Sequence, residues 1–339
     1  MICYHHDDLD GMSAGYCVHK FKPSYIEDSP SSFIKCDYNT KFDKHTSNDD
    51  VFIVDISISE DTYPMLLETC KTAKSVVWID HHATSKDVIH RHFKELQSIE
   101  NLIYFVSTEA SGAALTYSYF KISEKDINLI KERDPKQTYS IAASYKKGGI
   151  IEITIFANLY CNIFDIMLPT WLYFVDDYDC WKKQDERSNF FSLASTARNN
   201  NLVIEDENGN LVFNDFYDKA GANIDRIVEE GRTIMGYINS RYYDEYPDTF
   251  EWTYDGTTFL CKNATGNSWN FLSGINKYDA TILFNYSGKS GKWKYSVYSS
   301  DKSEFNCKEF CEKFGGGGHP HASGFSSTTL IFTSPKYNK

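Results

Sequence analysis

The sequence predicts an α/β protein whose first and larger part is built on a mostly parallel sheet. Three observations predict it. Short apolar, β-rich runs such as "VFIVD" and "SVVWID" recur through the first third of the chain. Segments of helical character separate them, as parallel strands require. Acidic and imidazole clusters close several of the runs, where open α/β sheets bind their ligands.

Taken in order, Ile2–His6 is a short strand and Gly11–Lys20 a helix. Phe33–Cys36, Val51–Ile56, Ser75–Asp80 and Leu102–Ser107 follow as strands, and Ala110–Phe120 as a helix. The pattern blurs between residues 122 and 170, where "SYKKGGIIEITIF" reads as a turn between a basic segment and a strand. From Asp215 to about Glu245, Ile224, Ile227, Val228, Ile234 and Ile238 fall at helical offsets, which suits a connector between two regions. Beyond it, "TFEWTYDG", "TTFLCKN", "ATILFNY" and "KWKYSVYSS" are β-like, with a hairpin turn in "YSGKSGKW".

The 339 residues carry a formal net charge of −12, and 41% are hydrophobic, enough for a sizeable core. An acidic balance argues against coating long nucleic acid, which needs clustered Lys and Arg. A short phosphorylated substrate is compatible with it, because clustered carboxylates can hold cations that become the local positive charge. Nine scattered cysteines without a C-x-x-C pair suit a reducing cytoplasm. Neither a secretory signal nor a membrane span is expected, since carboxylates begin at Asp7 and the longest apolar stretches are interrupted.

The chemistry concentrates in a few clusters. In "YHHDDLDG", His6, Asp8 and Asp10 stand two apart, and an extended segment would put them on one side. Asp55 closes "VFIVD", Asp80, His81 and His82 close the next run, and "FVDDYDCW" supplies Asp176, Asp177 and Asp179. A lone Asp after a strand is ordinarily a helix cap or turn residue. Several carboxylates converging on one crevice, however, repel one another unless protonated or bridged by metal. Mixed oxygen and imidazole ligands suit Mn, Mg, Fe or Zn, and there are enough for two ions. Two ions about 3.5–4 Å apart activate a water and stabilise the leaving oxygen of a phosphoester. Far downstream, the glycines of "FGGGGHPHASGF" permit close backbone approach to a ligand, with His319 beside them.

These residues resemble the DHH/DHHA1 phosphoesterase superfamily: H-x-D-x-D-G at His6–Gly11, the strand-end Asp55, DHH at Asp80–His82, an Asp near Asp177, GGGH at Gly316–His319, and "SGAALTY" at Ser111–Tyr117. The resemblance covers most of the chain. It implies a DHH catalytic domain over residues 1–214, a helical linker over 215–247 and a smaller α/β DHHA1 substrate domain over 248–332. It implies two divalent ions, usually Mn2+, with Mg2+ or another divalent ion as alternatives. His6, Asp8 and Asp55 would hold one ion, and Asp10, Asp55, His81 and Asp177 the other. Asp80 would orient a histidine, His82 would face the scissile phosphate, and Gly316, Gly317, Gly318 and His319 would hold the far end of the substrate. His5 in place of His6, and Asp176 in place of Asp177, remain open alternatives.

The D-x-D-x-W form makes nano-RNase B type oligoribonucleases the nearest branch. Many DHHA1 domains carry an Arg in an S-x-R-S strand, where this chain has Tyr298. A tyrosine stacks on a base but makes no bidentate phosphate clamp. That favours short single-stranded RNA, including linear dinucleotides, over a nucleotide bisphosphate (pAp) or a cyclic dinucleotide. Lys294 and Arg198 are further candidate phosphate contacts. A cytoplasmic hydrolase is expected, with a homodimer as an option and no membrane partner. A catalytically inactive nucleotide sensor is the reading from another class, disfavoured by the intact ligand set.

Overall fold

The computed structural model describes residues 1–22, 31–36, 40–122, 140–146, 149–157, 160–197, 203–205, 211–213, 223–242, 249–264, 278–300 and 303–332. The chain divides into two compact units, Met1–Ile234 and Met235–Lys339.

The first unit is α/β. Strands β1 (Ile2–His6), β2 (Ser32–Cys36), β3 (Asp50–Val54), β4 (Ser75–Asp80) and β5 (Leu102–Val106) form a five-stranded sheet in the order β2-β1-β3-β4-β5. Every neighbouring pair is parallel. Cys3, Phe52, Val54, Val77 and Ile79 join one core, and Tyr4, Val51, Ile53, Val76 and Trp78 join another. Burial on both faces is why these strands are apolar at successive positions rather than alternating.

Helix α1 spans Leu9–Phe21, beginning two residues before the expected Gly11. Asp8 causes the difference: extended at φ −136°, it caps the helix by accepting the Gly11 amide at 2.8 Å. Asp10 therefore sits in the first helical turn, and His6, Asp8 and Asp10 do not share one extended segment. Gly11 is obligatory at this bend, since a Cβ there would lie 2.4 Å from the His6 carbonyl oxygen. Helices α2 (Tyr63–Thr72), α3 (Ala83–Leu96) and α4 (Gly112–Lys121) complete the alternation. Ser111 caps α4 with its hydroxyl. Small residues in α1 (Gly11, Ser13, Ala14, Gly15) and α4 (Gly112, Ala113, Ala114) let the two buried helices pack closely.

The stretch that blurs in sequence contains an antiparallel sheet of β6 (Ser140–Lys146), β7 (Ile150–Ala157) and β8 (Tyr160–Met167). Ile151, Ile153, Ala143 and Ile166 pack into the same core as α1 and α4. Lys146 of β6 bridges Glu152 on β7 and Asp165 on β8, both at 2.7 Å. Then come α5 (Thr170–Asp179), α6 (Arg187–Ala197), a small antiparallel pair β9 (Val203–Glu205) and β10 (Leu211–Phe213), and α7 (Ile224–Tyr242). A Cβ on Gly231 of α7 would meet the Phe190 carbonyl oxygen at 1.8 Å, so a glycine is what admits this close approach to α6. The parts of the expected 215–247 connector outside 223–242 lie beyond the described residues.

The second unit carries a mixed six-stranded sheet in the order β11-β12-β13-β14-β16-β15. Its strands are β11 (Thr249–Tyr254), β12 (Thr257–Asn263), β13 (Ala280–Ser287), β14 (Lys292–Tyr298), β15 (Gly317–His319) and β16 (Ala322–Ser327), with helix α8 (Cys307–Glu312) capped by Asn306. The hairpin read from "YSGKSGKW" joins β13 to β14, with Gly291 at φ 65°. Phe314, Phe325 and Tyr295 stack successively at 4.6 Å within this unit's aromatic core. Among the described residues, no helix is long and apolar enough to cross a membrane.

Candidate metal centre

The strand order puts the carboxyl ends of β1, β3 and β4 side by side, and each delivers part of one cluster. His6 ends β1, Asp55 follows β3, and Asp80, His81 and His82 end or follow β4. Asp55 turns abruptly out of its strand, with φ 55° and its amide donating to the Ile79 carbonyl at 2.9 Å. A non-glycine residue in that region is strained, and such strain gathers at functional sites. Among the described residues, three groups have ligand atoms all within 4.8 Å of one another: Asp55, His81 and His82; His81, Asp179 and Cys180; His6, Asp8 and Asp55.

His81 is the hub. Its Nε2 lies 3.2 Å from Asp55 Oδ1, 3.4 Å from Asp179 Oδ2 and 3.8 Å from Asp10 Oδ2. Asp10 also accepts the amides of Gly112 at 2.7 Å and Ala113 at 3.1 Å, the first turn of α4. His6 Nδ1 lies 2.7 Å from Asp8 Oδ2, and His82 Nδ1 lies 2.7 Å from Asp80 Oδ1.

Neither carboxylate oxygen of Asp55 receives a well-formed hydrogen bond, and Asp179 Oδ2 is likewise buried without one. Burial, reinforced by the charge of Asp10, pushes Asp55 well above the usual carboxylate range. Burial and the charge of Asp179 push Asp10 up, and burial does the same to Asp179. For His81, burial acts downward, but the charge of Asp179 and the nearness of Asp55 outweigh it and hold the imidazole well above its ordinary value. Asp80 is the contrast: burial would raise it, yet the charge and hydrogen bond of His82 hold it down to about 2. Buried carboxylates with orphaned oxygens, crowded around an imidazole, are what a divalent cation satisfies. The residues present fit a metal.

The structure brings His6, Asp8, Asp10, Asp55, Asp80, His81 and His82 close together. His5 is not part of the cluster: it is buried, its Nδ1 lies 2.9 Å from the His6 carbonyl oxygen, and burial pushes it down to about 4. Asp7 points elsewhere, exposed and paired with Lys35 at 3.0 Å.

Asp177 is engaged elsewhere. Its carboxylate accepts the amides of Gln184 and Asp185 and the Ser188 hydroxyl, at 2.8, 3.3 and 2.7 Å. Both oxygens are thus occupied in holding the turn after α5, where Trp181 and Lys183 have φ of 56° and 51°. The alternative, Asp176, accepts the Ser111 amide at 2.8 Å and the Lys182 ammonium at 2.6 Å. Of the three carboxylates, Asp179 is the one that lies against His81, 3.4 Å from its Nε2. The missed signal was helical: "TWLYFVDDYD" is α5, so its carboxylates fan around an axis rather than closing a strand.

The remaining predicted residues, Arg198 apart, lie in the second unit. Gly317 pairs opposite Gly324, and His319 and Tyr298 both pair opposite Ala322. Gly316 and Gly318 let the start of β15 approach β16 closely and Gly324 lets β16 approach Tyr295 of β14, whereas a Cβ on Gly317 would meet nothing within 4 Å. Lys294 is exposed on β14, and Arg198 lies outside the described residues.

No family model matches the chain, and no curated protein matches it. Among solved structures, it is similar to an uncharacterized protein from Helicobacter pylori G27, with 14% identity, 99% of this chain and 94% of that one covered, and a TM-score of 0.33. It is also similar to a pGpG-specific phosphodiesterase from Vibrio cholerae, with 12% identity, 96% and 92% covered, and a TM-score of 0.36. A third is an exopolyphosphatase-related protein from Bacteroides fragilis, with 13% identity, 98% and 87% covered, and a TM-score of 0.37.

Proposed function

We propose that the chain is a metal-dependent phosphoester hydrolase acting on short oligoribonucleotides, down to linear dinucleotides. The observation that carries this is Asp55: a strained, buried carboxylate with both oxygens orphaned, set between His6 and Asp8 on one side and His81 and Asp179 on the other. His6, Asp8 and Asp55 would hold one divalent ion; Asp10, Asp55, His81 and Asp179 would hold a second, Mn2+ being the favoured identity. Ions bound there supply the positive charge that polarises a phosphoryl oxygen and makes a water acidic enough to attack it.

The chain's own groups do the rest. Asp80 receives the Nδ1 proton of His82, which fixes the ring with Nε2 turned away, toward the substrate. In that position His82 binds the scissile phosphate and passes a proton to the departing oxygen. In the second unit, Gly317 leaves room for a ligand against bare backbone, His319 binds it, and Tyr298 offers a ring for a base. An acidic protein binds a short polyanion this way through local charge, without a basic surface.

The test is hydrolysis by purified protein with Mn2+, using labelled RNA from the dinucleotide upward, pAp and cyclic dinucleotides, beside an Asp80→Ala/His81→Ala variant. Release of mononucleotides from the shortest RNAs by the wild type alone is expected. Preference for pAp or a cyclic dinucleotide would replace the substrate, and no metal-dependent cleavage of any of them would overturn the hydrolase reading.

A further inference from the structure

The residue after Asp179 has no part in the reading above, yet it touches the hub of the cluster. Cys180 Sγ lies 3.9 Å from His81 Nδ1 and 3.9 Å from Asp176 Oδ1. Asp176 is fully buried and fixed independently, by the Ser111 amide at 2.8 Å and by Lys182 at 2.6 Å. With the ammonium on one oxygen and the amide on the other, Asp176 is held as an acceptor. The thiol proton therefore goes to Asp176, which leaves the sulfur as an acceptor for a proton on Nδ1 of His81.

We propose that Cys180 is a positioning residue: its thiol bridges Asp176 to His81 and so turns His81 Nε2 onto the carboxylates of Asp10, Asp55 and Asp179. A metal-binding histidine presents one nitrogen to the ion and gives the other a hydrogen-bond partner that sets its tautomer and its rotation. Usually that partner is a carboxylate or a backbone carbonyl. Here a sulfur stands between the imidazole and the carboxylate of Asp176, and Lys182 anchors the far end of the chain of contacts. The turn held by Asp177 keeps Cys180 in place: the amide of Cys180 donates to the Asp176 carbonyl at 3.1 Å, and the amide of Lys182 to the Asp177 carbonyl at 3.0 Å.

This inference rests on the metal-dependent reading of the site. It is tested by measuring the rise in melting temperature and the calorimetric affinity for Mn2+ in wild type, Cys180→Ala and Cys180→Ser. Nitrogen NMR of Zn2+-loaded, histidine-labelled protein reports which nitrogen of His81 carries the proton. Cys180→Ala is expected to weaken metal affinity by about 10–100-fold, the size of effect seen when a ligand's outer partner is removed. It is expected to leave the metal-free melting temperature close to wild type, and to lower kcat more than it raises KM. Cys180→Ser, which keeps a donor and an acceptor, should recover part of the affinity. Wild-type affinity and an unchanged His81 tautomer in Cys180→Ala overturn the positioning role alone. A wild type that no divalent ion stabilises overturns the metal reading and this inference with it.

Discussion

A Cβ on Gly112 would lie 2.6 Å from the Cβ of Asp55 and 2.7 Å from its Oδ1. The start of α4 thus presses directly on the carboxylate at the centre of the cluster, and glycine is the residue that leaves Asp55 its place. Gly112→Ala forces one of the two to shift, and the Asp55 carboxylate, in contact with His81 at 3.2 Å, would be displaced from the cluster. The variant is expected to fold with a loss of about 1–3 kcal/mol, typical of overpacking. Its Mn2+ affinity should fall at least tenfold, about 1.4 kcal/mol. Titration calorimetry beside urea melts checks this, and wild-type affinity in Gly112→Ala would contradict it.

Asp177 and Asp179 should separate cleanly. Asp177→Ala removes the acceptor of two part-buried amides, those of Gln184 and Asp185, and one of the two acceptors of the Ser188 hydroxyl, so it should destabilise the fold by about 1–3 kcal/mol in all. Asp179→Asn removes a crowded negative charge, so metal-free stability should hold or rise while metal affinity drops. Chemical denaturation with and without Mn2+ distinguishes the two. The reverse pattern would return Asp177 to the ligand set.

The pH dependence has a definite sign. Asp10, Asp55 and Asp179 bind protons more tightly folded than unfolded. Their contribution to metal-free stability is complete below the unfolded carboxylate value of about 3.9 and is lost as pH rises through their raised folded values. His81, also raised, acts in the same direction with its loss beginning above about 6.5. Asp80, held down to about 2, acts oppositely and loses its contribution only as the solution is acidified toward that value. Because a cation needs its ligands deprotonated, the melting-temperature gain from Mn2+ should grow from weakly acid to weakly alkaline pH, with protons released on binding. Scanning fluorimetry across pH, with Asp55→Asn as comparison, reads this out. A gain that does not change with pH would count against the assignment.

The glycine loop offers a control within itself. Gly316 is crowded by the Gly324 carbonyl at 2.2 Å, and Gly318 has φ 140° and is crowded by the Ala322 carbonyl at 2.7 Å. Alanine at either position should cost stability. Gly317 has neither constraint, so Gly317→Ala should melt as wild type does. If the loop binds substrate, Gly317→Ala raises KM for a dinucleotide all the same. An unchanged KM would remove the loop from the site.

Much of this was legible before any fold was known. Strands buried on both faces announce themselves as unbroken apolar runs, and the candidate site residues at their carboxyl ends, Asp55 and Asp80 to His82, stand out beside them. Alternation served less well at His6, Asp8 and Asp10, because Asp8 is both a candidate ligand and the helix cap, and a cap turns the chain. Asp177 illustrates a related difficulty, since three nearby carboxylates on a helix point three ways and spacing alone does not choose among Asp176, Asp177 and Asp179. The antiparallel strands β7 and β8 stayed obscure because Glu152, Asn162 and Asp165 break their apolar character. Cys180 carried no signal, its role depending on a histidine far away in sequence.

The first amides of α4 are already taken. Asp10 occupies those of Gly112 and Ala113, and Asp176 that of Ser111. Many phosphate-binding proteins aim such a helix end at their ligand, but here the chain's own carboxylates have filled it. An anion arriving at this cluster finds no preformed cradle on that helix end, so under the proposed function its retention would depend on bound cations. Under the proposed function, loss of activity with EDTA, far more than with added sodium chloride, is the behaviour expected.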